Sequence, residues 1–270
     1  MEINKRPVFG TREWAKHNLN FMDGCQHDCK YCYAKASAIQ NGKRTAENWT
    51  DPEIRQHIIE KQIGKNKREG TTMFPTQHDL HPDNVIEAIM VLDNLICKGK
   101  NDVLIVSKPH VPVIWEICKH FKNFQDKILF RFTIGSADDL TLRFWEPNAP
   151  GFEERLVSLM IAYMMGYNTS VSCEPMLDDN IQAVVDEVSP YITDAIWLGK
   201  ANFLLDRLKK NNQFDEETKI VAMKLLRWQN DDNNIIKLYE QYKDNPLIKW
   251  KESIKKIVGL EIPTEDGLDM

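Results

Sequence analysis

Six short apolar or β-branched runs, separated by stretches with helical spacing, restrict the fold of this chain more than any other feature. The runs are His17 to Met22, Thr71 to Pro75, Asp102 to Val106, Ile128 to Ile134, Thr169 to Cys173 and Ala195 to Leu198. Between them lie Ala34 to Gln40, Glu53 to Ile63, Val85 to Leu92 behind a cap at Asp83 or Asn84, Val113 to Phe121, Glu153 to Met165 and Ile181 to Val188. Ile54, Ile58, Ile59 and Ile63 share one helical face, and Val85, Ile86, Ile89, Met90 and Leu92 form another stripe. Asp102 to Val106 is continuous rather than alternating, as a strand covered on both faces requires. Such alternation implies right-handed crossovers and a parallel sheet. Six strands fall short of the eight that close a full barrel, so an open, partial barrel is one solution and a flat doubly wound sheet the other.

After Lys200 the pattern changes. Phe203 to Lys210, Glu216 to Trp228, Ile235 to Tyr242 and Leu247 to Val258 all read as helices, with no further strand, and the acidic end from Glu261 to Met270 is expected to fray. The fold expected is therefore α/β: a partial (β/α)6 TIM-like barrel over residues 1–205, with a C-terminal helical extension over residues 206–270 packed on it.

The first strand runs into Gly24-Cys25-Gln26-His27-Asp28-Cys29-Lys30-Tyr31-Cys32-Tyr33-Ala34. Three of the six cysteines fall in this loop, whereas Cys97, Cys118 and Cys173 are scattered. Three sulfurs cannot form a self-contained disulfide set, but they can bind one metal centre. An iron–sulfur cubane usually takes four thiolates, so three would leave one iron open as a Lewis acid and electron donor. Zinc on the three cysteines plus His27 is the alternative, although all four ligands would then crowd one loop. Without zinc, His27 reads as a solvent-side residue.

Apolar residues make up 42% of the 270, enough for a sizeable core. A net charge of −5 gives no global basic field, which leaves only a local groove for any nucleic acid. Met1 to Pro7 precedes no apolar core, so no secretory signal is read there. The run Leu156 to Met165 spans only about ten residues and holds Ser158, too short to cross a bilayer. Six cysteines without a pairing pattern suit a reducing compartment. The expected location is cytoplasmic, with no membrane partner.

The spacing Cys25-x3-Cys29-x2-Cys32, directly after the first strand, resembles the radical S-adenosylmethionine superfamily. The context from Asp23 to Ala34 resembles its spore photoproduct lyase-like branch. So do Ser107-Lys108, Glu146-Pro147-Asn148-Ala149-Pro150 ahead of Glu154-Arg155-Leu156, and Trp197-Leu198-Gly199-Lys200, and the likeness covers most of residues 15–205. The resemblance implies a radical enzyme with a 4Fe-4S cluster on Cys25, Cys29 and Cys32. The open iron would chelate the amino and carboxylate groups of S-adenosylmethionine. One electron, from a donor such as flavodoxin or ferredoxin, would then release a 5′-deoxyadenosyl radical that abstracts hydrogen from the substrate.

By the same resemblance, Tyr31 lies against the adenine and Thr76, Gln77 and Asp79 meet the methionine end. Ser136 meets the ribose or carboxylate, Arg155 pairs with the carboxylate, and Ser172 and Glu174 approach the sugar or amine. The lyases carry a hydrogen-donor cysteine two residues before the serine that ends the fourth strand. Here Ile134 stands two before Ser136, a departure from lyase chemistry. Cys173, if it points into the bowl, is the replacement donor; otherwise it is a buried structural cysteine. His78 and His81 read as turn residues rather than a metal pair, Trp197 as core, and Tyr33 as cluster shielding or packing. Lys209-Lys210 and Lys249, Lys251, Lys255 and Lys256, with Trp228 and Trp250 nearby, are modest basic clusters, and nucleic acid is the leading substrate. A non-catalytic iron–sulfur or zinc sensor is the reading of a different class.

Overall fold

The computed structural model describes residues 7–267. The stretch before Pro7, read above as lacking a secretory signal, and the last three residues of the acidic tail lie outside the described residues. Seven parallel strands form one sheet: β1 (His17–Asn18), β2 (Thr72–Phe74), β3 (Val103–Ser107), β4 (Ile128–Thr133), β5 (Asn168–Cys173), β6 (Ile196–Leu198) and β7 (Ile248–Trp250). Their order in space is their order in the chain, and β1 and β7 do not pair. The fold is thus α/β, an open, partial TIM-like barrel rather than a closed one.

β7 corrects the helix expected over Leu247 to Val258. Only Glu252–Val258 is helical, and Ile248 and Trp250 pair in parallel with Ile196 and Leu198. The cause is a two-residue period hidden among lysines. Ile248 and Trp250 enter the helix-side core while Lys249 and Lys251 turn inward, where each ammonium sits within 6 Å of the Trp197 ring. The helix expected over Glu53 to Ile63 is also shorter. Glu53–Ile54 pairs antiparallel with Met22–Asp23, and only Gln56–Glu60 is helical. Arg55 explains the break: its backbone N–H donates to Phe21 O at 2.8 Å and its guanidinium clasps Asp23. A helix over Asp139–Trp145, not foreseen, starts where the Asp138 carboxylate accepts the Leu140 and Thr141 N–H groups.

Alternation along the strands divides the chain between two faces. Ile105, Phe130, Phe132, Val171, Cys173, Ile196 and Leu198 pack outward against the helices. Met73, Leu104 and Trp197 face inward with Trp14. Arg131 closes the bottom of the bowl, its guanidinium 4.6 Å from the Trp14 ring and 5.2 Å from Trp197, and it pairs with Asp194 at 2.9 Å. The barrel is therefore plugged below and open above.

The open edge between β1 and β7 is bridged by the turn Gly10–Glu13. Lys251, fully buried, reaches Glu13 at 2.8 Å, Glu174 at 3.3 Å and the Gly10 carbonyl at 3.1 Å. The tail expected to fray is held as far as Gly267: Val8 N–H donates to Pro263 O, Gly267 N–H donates to Arg12 O, and Arg12 pairs with Asp266.

Burial pushes the Glu13 carboxyl from an ordinary 4.5 up to about 7, against the pull of Lys251. A raised acid keeps in the folded state a proton that the unfolded chain has released. Its stabilisation is complete below the unfolded value and is lost as pH rises through about 7. Glu13→Gln should flatten urea-derived stability between about pH 5 and pH 8. A variant with the wild-type slope over that range would refute the assignment.

Candidate metal centre and cavity

The cysteine loop is shaped by its backbone. Gly24 sits at φ +95°, and a Cβ there would come within 2.7 Å of the Trp49 carbonyl, which also accepts the Cys25 N–H at 3.0 Å. Asp28 turns the loop again at φ +49° and accepts from the buried Lys35 ammonium at 2.6 Å. Cys32 caps the helix Tyr33–Gln40, its sulfur accepting the Lys35 N–H. None of the cysteines is in a disulfide. Burial pushes the Cys25 thiol up to about 12, and it raises Cys29 and Cys32 as well. Free, these sulfurs hold their protons; a bound cation would supply the counter-charge a thiolate needs here.

Asp79, after β2, ties the loop to the strand ends. One carboxylate oxygen accepts from Ser107 Oγ at 2.9 Å and the Lys108 N–H at 2.7 Å. The other lies 3.0 Å from His27 Nδ1 and 3.4 Å from Lys108 Nζ. Burial alone would raise this carboxyl, but Lys108 and His27 outweigh it and hold it well below its usual range. Lys108 shows the converse: burial opposes its charge, yet Asp79, Cys29 and Tyr31 hold its pKa well above the ordinary value. His27 is not solvent-side. It is fully buried, with Nε2 2.9 Å from His110 Nε2, because its ring is needed to cover Asp79.

A second brace lies behind Tyr31. Its hydroxyl donates to Glu146, whose other oxygen receives Arg155; both ion-pair side chains are fully buried. Arg155 also donates to Pro150 O at 2.8 Å and Thr133 O at 3.1 Å. Asn148 donates to the carbonyls of Gln26 and His27. From the C-terminal segment, Asn211 Nδ2 donates to the carbonyls of Lys30 and Cys32, both at 2.9 Å.

A cavity of about 460 Å³ opens beside the three cysteines at the C-terminal ends of the strands. Of the residues expected around it, Tyr31, Thr76, Gln77, Asp79, Ser172 and Glu174 line it. Thr76 is fixed by Asn20, which receives its N–H at 2.7 Å and donates to its hydroxyl at 2.8 Å. Tyr33 lines the cavity too, and its hydroxyl donates to Thr76 O.

Ser136, Arg155 and Cys173 are not in the lining. Ser136 donates to Asp178 and accepts the Asp138 N–H at 2.9 Å, which makes it part of a turn. Arg155 is spent on Glu146. Cys173 is fully buried on the helix side, because Ser172 takes the inward position of β5. Ile134 likewise faces the helices, and Thr133 is the residue at that strand end that meets the cavity. His78 accepts the Phe21 N–H at 3.3 Å and packs edge-on to the Phe21 ring, while His81 caps the turn Pro82–Asn84. Trp197 is core.

Lys200 and Asn202, polar residues that follow β6 at the strand end where a bowl needs them, line the cavity, and so does Arg207, which was not foreseen. Arg207 lies on a helix that only packing brings back to the loop.

A sequence-family comparison matches residues 19–188 to the Radical SAM superfamily. No curated protein sequence matches the chain. Among solved structures, spore photoproduct lyase complexed with dinucleoside spore photoproduct is similar at a TM-score of 0.52 and 12% identity, over 92% of this chain and 79% of that one. A cysteine-to-serine mutant of the same lyase matches at 0.52 and 12%, over 92% and 80%. At these identities the likeness is one of fold.

Proposed function

Because the chain belongs to the radical S-adenosylmethionine superfamily, we propose that Cys25, Cys29 and Cys32 hold a 4Fe-4S cluster and that the adjoining cavity binds S-adenosylmethionine. The observation that carries this is the donor set: three unpaired cysteines from one loop, lining one cavity, with the Lys108 ammonium among them. Held by Cys25, Cys29 and Cys32, the cluster would supply one electron for reductive cleavage of the sulfonium of S-adenosylmethionine, the source of hydrogen-abstracting power in this chemistry.

The chain's own residues prepare that site. Lys108 offsets thiolate charge. Asp79, with both oxygens engaged, positions Lys108 and His27 rather than offering a free carboxylate. Tyr31, held by Glu146, forms the wall for the adenine. Thr76 and Gln77 face the methionine end, and Ser172 and Glu174 the sugar. The part of the chain before residue 206 supplies most of the domain that would hold both cofactors, and the part after it adds β7 to the sheet, brings Arg207 to the cavity and braces the cysteine loop from behind. The electron comes from a donor of the flavodoxin or ferredoxin kind. Nucleic acid is the substrate class we favour, since a structural neighbour holds a dinucleoside photoproduct. Among the described residues no helix is long and apolar enough to cross a membrane.

Protein purified without oxygen should be brown and carry about four irons per chain. With a strong reductant and S-adenosylmethionine it should form 5′-deoxyadenosine, detected by chromatography. One observation favours a second reading: ligand atoms of Cys25, His27 and Asp79 lie within 4.8 Å of one another, close enough for a single ion. A colourless, zinc-loaded protein that never cleaves S-adenosylmethionine would establish that reading and sink the first.

A further inference from the structure

Three cations line the cavity: Lys108, Lys200 and Arg207. Lys108 is committed to Asp79. The carboxylate across the cavity, Glu174, is committed to Lys251. Lys200 and Arg207 are different. Neither side chain makes a hydrogen bond or ion pair with any described residue, whereas Arg44, Arg55, Arg131 and Arg155 each face a carboxylate. Arg207 stands in the first turns of the helix Leu204–Lys210, its guanidinium 5.8 Å from the Tyr33 ring and 6.0 Å from Phe203. The charges it feels are Cys32 and Glu174, which places it between the cysteine loop and the end of β5. Burial lowers the pKa of both cations, and the nearby acidic groups, Asp232 for Lys200 and Cys32 and Glu174 for Arg207, offset only part of that cost.

We propose that Arg207 and Lys200 form an oxyanion-binding subsite of the cavity, together with Asn202 on the loop that leads from Lys200 into the helix of Arg207. A guanidinium fork and an ammonium around one cavity wall match a carboxylate or a phosphate. Both cations lie beyond residues 19–188, so the subsite belongs to the part of the chain that the family match does not reach. Two sources of oxyanion meet this chemistry. One is the carboxylate of S-adenosylmethionine, left without a cation now that Arg155 is spent, and this source rests on the function proposed above. The other is an acidic group of the substrate.

Inorganic phosphate is the probe, titrated by calorimetry into the full chain with and without saturating S-adenosylmethionine. The wild-type chain should bind one phosphate with a dissociation constant of about 1 mM. Arg207→Leu and Lys200→Leu should each weaken it about tenfold, a loss of about 1.4 kcal/mol, and Arg207→Lys by less. Lys209→Leu, which removes an exposed cation lying over Phe214, should leave it unchanged. Both leucine variants should melt within about 2 °C of the wild type, since neither side chain makes a hydrogen bond or ion pair in the fold and leucine keeps the packing of the Arg207 stem on Tyr33 and Phe203. Competition by S-adenosylmethionine identifies its carboxylate as the occupant, whereas undiminished phosphate binding assigns the subsite to the substrate. No binding by the wild type, or wild-type affinity in both leucine variants, overturns the proposal. Failure of the radical reading would appear separately, as a cluster-loaded wild type that forms no 5′-deoxyadenosine.

Discussion

Cys29→Ala should reduce 5′-deoxyadenosine formation to the reagent background while the chain stays folded. Cys29 packs with Tyr31, Leu142, Trp145 and Leu177 in a small apolar cluster, and its sulfur bonds to no other cysteine. Removing one buried sulfur costs about 1 kcal/mol in packing, worth about 2–4 °C in melting temperature for a chain of this size. The chemical loss is of another order, since a cubane left with two thiolates is not held. Iron content, the visible spectrum and the melting transition should be measured on the same sample. A variant that keeps full iron and full turnover would show that the metal is bound elsewhere.

Arg155→Leu should have the largest effect on stability, a loss of about 3–5 kcal/mol. The change strands the Glu146 carboxylate at a site where both partners are fully buried. The damage should spread to Tyr31, whose hydroxyl donates to the same carboxylate next to Cys32. Adding Glu146→Gln should recover much of the loss, because a neutral amide can still accept from Tyr31 without carrying a buried charge. Urea denaturation of both singles and the double closes the cycle. A single variant costing under about 1 kcal/mol would mean that the pair is solvated in solution.

The two faces of the sheet were legible because a strand's period of two needs only local sequence. The cysteine loop was legible as a candidate centre because three thiols lie close in the chain. The short matches around Ser107-Lys108 and Glu146 to Arg155 looked weak one by one, yet they converge: Lys108 meets Asp79, and Glu146, Asn148 and Arg155 hold Tyr31, Gln26 and His27. Their roles were harder to read. Arg155 was taken for a ligand because a buried guanidinium and a ligand-binding one look alike until the partner Glu146 is seen. Cys173 was left open between donor and buried structural cysteine because one residue of strand phase moves a side chain across the sheet; it is the buried one. His27 needed knowledge of Asp79, fifty-two positions away. β7 was hidden because three residues with a lysine in the middle fit a helical pattern as readily as a strand.

That last strand has a consequence for how the molecule comes together. β6 and β7 pair across a separation of about fifty residues, so the wall of the bowl on that side forms only after a long loop has closed. The strands from β2 to β6 pair with nearer neighbours, whereas β1 pairs with β2 across about fifty-five residues, so both edges of the sheet wait on a long loop. Lys251 and its two glutamates then clasp the edge, which makes their chemistry the final step of assembly. The three loop cysteines sit on the long connection between β1 and β2, so the opposite edge must close before the chamber around them is complete. A chain caught at that stage would present its sulfurs to water and oxygen with only part of the enclosing wall in place.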